Sequence, residues 1–286
     1  MECGDQPRVG SSDLSFRIQA YGRSDVGQVR RRNEDTMAVE PSKGIVVVAD
    51  GMGGAPAGDL ASALAVQEVI RGLRAGETIG EAITRANRKL LDMVAKQPGL
   101  AGMGTTVTAL LVDPDTGHFA VGHVGDSRAY RLSEGAFSQI TEDHTLVRDL
   151  VRSGKIPPSH ERQHPLGHVL SRALGVEDGL EVEELEGVVE DGDRFLLCSD
   201  GLVKVMEDAE LEDRVRRAGP GSLKEAVDGI VKEGNRRGAP DNITVALLTV
   251  GASPFSRRTT PQSLGAVVEA PAGGGSPGRV RLGRSG

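Results

Sequence analysis

An α+β sandwich, in which two sheets are faced by helices, is the fold class predicted for this chain. Three observations predict it. Short apolar runs rich in β-branched residues mark strands, apolar residues recur at helical spacing in two pairs of longer stretches, and turn signals punctuate the strand-rich middle.

The elements follow in order. Residues 1–14 are polar and Gly-rich without periodicity and are expected to be disordered. Gly44-Ile45-Val46-Val47-Val48-Ala49 reads as a buried strand ending at Asp50. A helix over about 59–74 carries Leu60, Leu64, Val66, Val69, Ile70 and Leu73, and another over about 79–96 carries Ile83, Leu90, Leu91 and Val94. Strands are expected at about 105–112, 119–124, 127–132, 194–198 and 243–250, with Asp113-Pro114-Asp115-Thr116-Gly117 as a hairpin loop. A second helix pair, about 208–217 and 222–236, precedes the last strand. From 252 to 286 Ser, Pro, Gly and Arg dominate, and Arg257, Arg258, Arg279, Arg281 and Arg284 oppose only Glu269. That composition predicts a disordered basic tail and leaves 15–251 as one large domain.

Composition excludes several function classes. The net charge of -7 gives no basic face for nucleic acid. No apolar stretch approaches the roughly 20 residues of a membrane span, and Met1-Glu2-Cys3-Gly4-Asp5 lacks the start of a signal peptide, so a cytoplasmic protein is expected. Only Cys3 and Cys198 are present, too few for a disulfide framework.

Four acidic signatures stand out: Arg30-Arg31-Arg32-Asn33-Glu34-Asp35, Asp50-Gly51-Met52-Gly53-Gly54, Ser199-Asp200-Gly201-Leu202 and Asp241-Asn242-Ile243-Thr244. Each borders a strand-like run. Taken singly, Asp-Gly and Asp-Asn are turn pairs. Together, carboxylates at the ends of separate strands would repel one another unless a cation joined them. With no Cys or His beside them, the oxygen ligands point to Mg²⁺ or Mn²⁺.

These elements, with Gly104-Thr105-Thr106, Val124-Gly125-Asp126-Ser127-Arg128 and Ile140-Thr141-Glu142-Asp143-His144 in order between them, resemble the bacterial form of the metal-dependent type-2C protein serine/threonine phosphatases. The resemblance covers about 15–250. It implies a four-layer α-β-β-α sandwich of two antiparallel sheets flanked by helix pairs, with two Mn²⁺ or Mg²⁺ ions in a cleft. By position, Asp50 would bridge both metals, the carbonyl of Gly51 would hold one, and Asp200 and Asp241 the other. Glu34 and Asp35 would act mainly through waters, Asp126 would bind a weaker third metal, and Arg30 would grip the substrate phosphate.

The implied activity is hydrolysis of phosphoserine and phosphothreonine in proteins by direct attack of a metal-bridging hydroxide. Arg30 suits its role because guanidinium is a planar, permanently charged fork. The implied partners are phosphoproteins and serine/threonine kinases, with the chain a monomer. The alternative is a non-catalytic domain that binds phosphoproteins, against which stands the retention of every metal aspartate.

One departure is Met52, where eukaryotic relatives place a histidine proposed as general acid. A water held by Asp126, or His144, is left as candidate donor. Residues 145–175 correspond to the family's variable flap. Three competing motifs fail. His160-Glu161-Arg162-Gln163-His164 has the zinc-peptidase spacing but lies between Pro158 and Pro165, Cys198 is followed six positions on by Lys204 rather than Arg, and no P-loop occurs.

Overall fold

The computed structural model describes residues 15–53, 57–219 and 221–252. The segments expected to be disordered lie outside these residues, apart from Ala252, which ends the last strand.

Three strands, β1 (Phe16–Asp25), β2 (Asp35–Glu40) and β3 (Ile45–Met52), lead into helices α1 (Ala57–Ala75) and α2 (Ile79–Lys96). The start of α2 is set by a capping box in which Thr78 Oγ1 accepts from the Glu81 N–H and the Glu81 carboxylate accepts from the Thr78 N–H. Next come β4 (Gly104–Thr105), β5 (Val107–Val112), β6 (His118–Val124), β7 (Arg128–Ser133) and β8 (Ala136–Gln139). Helix α3 (Leu146–Arg152) opens the flap, after which β9 (Glu183–Val188) and β10 (Arg194–Cys198) return to the sheets. The chain closes with α4 (Asp200–Val203), α5 (Asp208–Arg217), α6 (Leu223–Arg236) and β11 (Ile243–Ala252).

All strand pairings are antiparallel among the described residues. One sheet runs β1-β11-β10-β7-β8 and the other β2-β3-β5-β6-β9, with β4 against the end of β3. Helices α1 and α2 pack on the second sheet, and α4, α5 and α6 on the first. This is the expected four-layer sandwich.

Its central strands are buried on both faces, which is why they read as unbroken apolar runs. In β3, Val46 and Val48 face the other sheet, while Ile45, Val47 and Ala49 face α1 and α2. In β10, Phe195 and Leu197 fill the space between the sheets, while Leu196 and Cys198 meet the helices beyond. Three apolar layers thus separate four structural ones. Among the described residues no helix is long and apolar enough to cross a membrane.

The strand expected at 105–112 is interrupted. Gly51 pairs Thr105 and Val48 pairs Thr108 in one continuous register, yet the Asp50 N–H donates to the hydroxyl of Thr106 instead of to a backbone carbonyl. A side chain takes over one rung of the ladder beside Asp50.

Candidate metal centre

The register of the first hairpin does the initial placing, because Asp35, which opens β2, pairs directly with Asp50 near the end of β3. Asp50 is held on both sides of its peptide. Its N–H donates to Thr106 Oγ1 at 2.9 Å, and its carbonyl accepts from Thr105 Oγ1 at 2.9 Å and from the Thr106 N–H at 2.9 Å. The next N–H, that of Gly51, donates to the Glu34 carbonyl at 3.1 Å. A Cβ at Gly51 would clash first with the Gly58 carbonyl and would also sit 2.7 Å from that of Glu34, so no side chain fits between α1 and the loop before β2.

The other sheet brings Asp200 and Asp241 from adjacent strands, Asp200 as the first residue of α4 after β10 and Asp241 just ahead of β11. Asp126 comes from the turn after β6, where Gly125 takes a φ of 115°, a left-handed conformation that favours glycine. Arg30, Glu34, Asp50, Gly51, Asp126, Asp200 and Asp241 all line one cleft of about 900 Å³. Asp35 lies behind it, buried.

Burial and mutual repulsion dominate the electrostatics. Asp50 is pushed well above the usual carboxylate range by burial, then by Asp35, Asp200, Asp126 and Asp241. Asp126 is pushed up to about 8 by burial and by the charges of Asp200 and Asp143. Burial raises Asp35 to about 6 against two hydrogen bonds to its Oδ2, one from Thr244 Oγ1 at 2.6 Å and one from Ser199 Oγ at 2.7 Å. Asp241 moves the other way. Burial opposes the shift, but the Lys204 ammonium, the Asn242 N–H and Arg30 outweigh it.

Two buried carboxylate oxygens, Asp35 Oδ1 and Asp200 Oδ1, have no hydrogen-bond partner. Unpartnered buried acceptors are unfavourable, and a hard divalent cation among oxygen donors is the chemistry that satisfies them. The residues present fit a metal centre.

Known proteins resemble this chain over most of its length. The family model for protein phosphatase 2C matches residues 27–229. The serine/threonine phosphatase stp of Listeria welshimeri is 38% identical over 244 residues, covering 81% of this chain and 95% of that protein. The chain belongs to the protein phosphatase 2C family.

Solved structures of other phosphatases share its fold. The serine/threonine phosphatase PstP/Ppp of Mycobacterium tuberculosis superposes with a TM-score of 0.74 at 34% identity, covering 82% of this chain and 99% of that one. A PstP catalytic domain in complex with two manganese ions gives 0.73 at 32% identity, covering 83% of this chain and 100% of that one.

Within this phosphatase 2C chain the flap forms one wall of the cleft through His168, Leu170, Ser171 and Arg172. It also covers a neighbouring cleft of about 800 Å³ that shares Asp126, Asp200 and Lys204. Met52 lines the main cleft and has no proton to give. His144 lines neither cleft. Its Nδ1 accepts from the Gly125 N–H at 3.1 Å, which puts its proton on Nε2, 3.2 Å from a Glu183 oxygen. The nearby His123 is held neutral, its value lowered to about 4 by burial and then by His144. Both nitrogens of His123 have partners in Thr108 and the Glu142 carbonyl, so the group His123, His144 and Glu183 is satisfied without an ion. His160 lies in a 3-10 segment, Pro158–Gln163, and His164 beyond it is extended, so they share no α-helical face.

Several supports of the site go beyond the residues expected from the sequence. Asn242 bonds three backbone groups of the loop before β2, and Ser199 and Thr244 hold Asp35. All three sit inside the acidic motifs, one or three positions from an aspartate. In the sequence Lys204 stands where a cysteine-based phosphatase would need arginine, and its position four residues after Asp200 on a helix signals an ion pair.

Proposed function

We propose that this chain is a Mn²⁺- or Mg²⁺-dependent protein serine/threonine phosphatase acting on phosphoserine and phosphothreonine side chains. The observation that carries the reading is the pair of buried, donorless oxygens of Asp200, which lines the cleft with Asp50 and Arg30, and of Asp35, which pairs with Asp50 behind it.

Asp50, Asp200, Asp241 and the Gly51 carbonyl would hold two ions, with Glu34 and Asp35 in support and Asp126 for a weaker third. Bound there, divalent ions acidify water and offset the charge of a phosphoryl group. The chain's own residues do the rest. Arg30 Nη2 lies 2.9 Å from Asp241 Oδ2, which ties a permanently charged fork to the cleft wall, where it would bind phosphate oxygens. The hydrogen bonds to Asp35 and the peptide of Asp50 fix the carboxylates before substrate arrives, so little reorganisation is required during reaction.

The substrates are phosphoproteins, and the enzyme would oppose serine/threonine kinases in the cytoplasm as a monomer whose catalytic domain is 15–251. The test is release of phosphate from phosphoserine and phosphothreonine peptides with added Mn²⁺ or Mg²⁺ and with EDTA. Metal-dependent release is expected. A well-folded protein that binds phosphopeptides with no turnover in either metal would refute catalysis.

A further inference from the structure

We propose that Lys204 is a tethered counter-cation of the metal centre, its ammonium competing with a divalent ion for the Asp200 and Asp241 carboxylates and so lowering metal affinity. Lys204 Nζ lies 2.6 Å from Asp200 Oδ2 and 2.9 Å from Asp241 Oδ2. Helix α4 builds this contact, because its first residue is Asp200 and its C-cap is Lys204, one turn later. Arg30 also reaches Asp241, but its contact does not extend to Asp200. Lys204 therefore joins the two carboxylates.

An ammonium and a divalent ion within bonding distance of the same oxygens repel each other strongly in a poorly solvated cleft. A lysine side chain carries its charge at neutral pH, and two carboxylates at hydrogen-bond distance favour that form. It substitutes for a metal only in part, since Asp200 Oδ1 still lacks a partner. The side chain is 36% exposed and lies where the two clefts meet, which gives its flexible stem a way out when an ion enters.

The inference rests on the metal-centre reading but is tested without turnover. Mn²⁺ is titrated calorimetrically into the full chain and into Lys204→Met, Lys204→Gln and Lys204→Arg, and each protein is melted in EDTA. Both neutral variants should bind Mn²⁺ about tenfold more tightly or better. They should also melt at lower temperature in EDTA, where the aspartates lose their counter-charge, while Lys204→Arg stays near wild type. If Lys204→Met fails to fold, Lys204→Gln decides. Unchanged or weaker Mn²⁺ affinity in the neutral variants overturns the proposal, as does a raised phosphopeptide KM with unaltered metal binding. Tightening in a protein without phosphatase activity would leave this inference standing and sink the catalytic one.

Discussion

Ser199 Oγ donates to Asp35 Oδ2 at 2.7 Å, a contact between residues 164 positions apart that joins the two sheets at the floor of the metal centre. Thr244 Oγ1 donates to the same oxygen at 2.6 Å. Both bonds favour the charged carboxylate against its burial and leave Oδ1 without a donor.

Ser199→Ala removes that donor and also the acceptor of the Thr244 N–H, 3.0 Å away. A buried N–H and a buried carboxylate are then both short of partners. The expected loss is about 1–3 kcal/mol, read from urea unfolding in EDTA. Unchanged stability would mean that water or a rearranged Thr244 replaces the hydroxyl.

Asp50→Asn separates stability from function. Burial and four neighbouring carboxylates oppose the Asp50 charge, so a neutral isostere should raise the melting temperature of the metal-free protein. Turnover in Mn²⁺ should fall by more than about a hundredfold, beyond the loss seen when a residue merely supports a ligand. A variant that is active, or less stable in EDTA, would refute the bridging role proposed for Asp50.

How much was legible in the sequence follows a physical division between central and edge strands. The strands read in advance, β3, β5, β6, β7, β10 and β11, are all interior to their sheets. Those not anticipated include β1 and β8 at the edges of one sheet and β2 and β9 at the edges of the other. An edge strand is half-solvated, so it carries no continuous apolar run, and β9 alternates intermediate and exposed residues throughout. The aspartates were legible because their motifs are short and local. Lys204 was not, since its significance depends on Asp241 arriving from another strand.

The metal-free protein should lose stability as pH rises. Asp35 at about 6 and Asp126 at about 8 lie above the value of 3.8 expected in the unfolded chain, so the folded state binds more protons across this interval. Their contribution is fully present below about pH 4 and is lost progressively as pH passes through 6 and then 8. Thermal melts in EDTA at pH 6.0 and 8.5 check this, and Mn²⁺ should flatten or reverse the trend. An equal or higher melting temperature at pH 8.5 in EDTA would contradict the assigned repulsion.

Arg30→Ala should act on substrate more than on fold, because Arg30 is half-exposed and pairs only at the cleft wall. Loss of charge-assisted bonds worth about 1.5–3 kcal/mol predicts a KM for phosphopeptide raised roughly ten- to a hundredfold. Arg30→Lys should recover only part, since an ammonium lacks the planar fork. Equal kinetics for all three proteins would take Arg30 out of phosphate binding.

Asn242 offers the last test, because on the proposed reading it would act on phosphate through Arg30 rather than by contact. Its Nδ2 donates to the carbonyls of Val26 and Arg32, each at 2.9 Å, and its Oδ1 accepts from the Glu34 N–H at 2.8 Å. One amide therefore closes the loop that carries Arg30 onto the segment ahead of β11 that carries Asp241. Asn242→Ala should cost about 2–4 kcal/mol by unpairing these groups, and should raise KM in the same direction as Arg30→Ala. Asn242→Asp is the sharper variant. It keeps an acceptor for Glu34 but sets a carboxylate against two carbonyls, so it should destabilise the loop at least as much as alanine. If KM stays constant in both while stability falls, the loop holds Arg30 without this clamp, and Asn242 serves the fold alone.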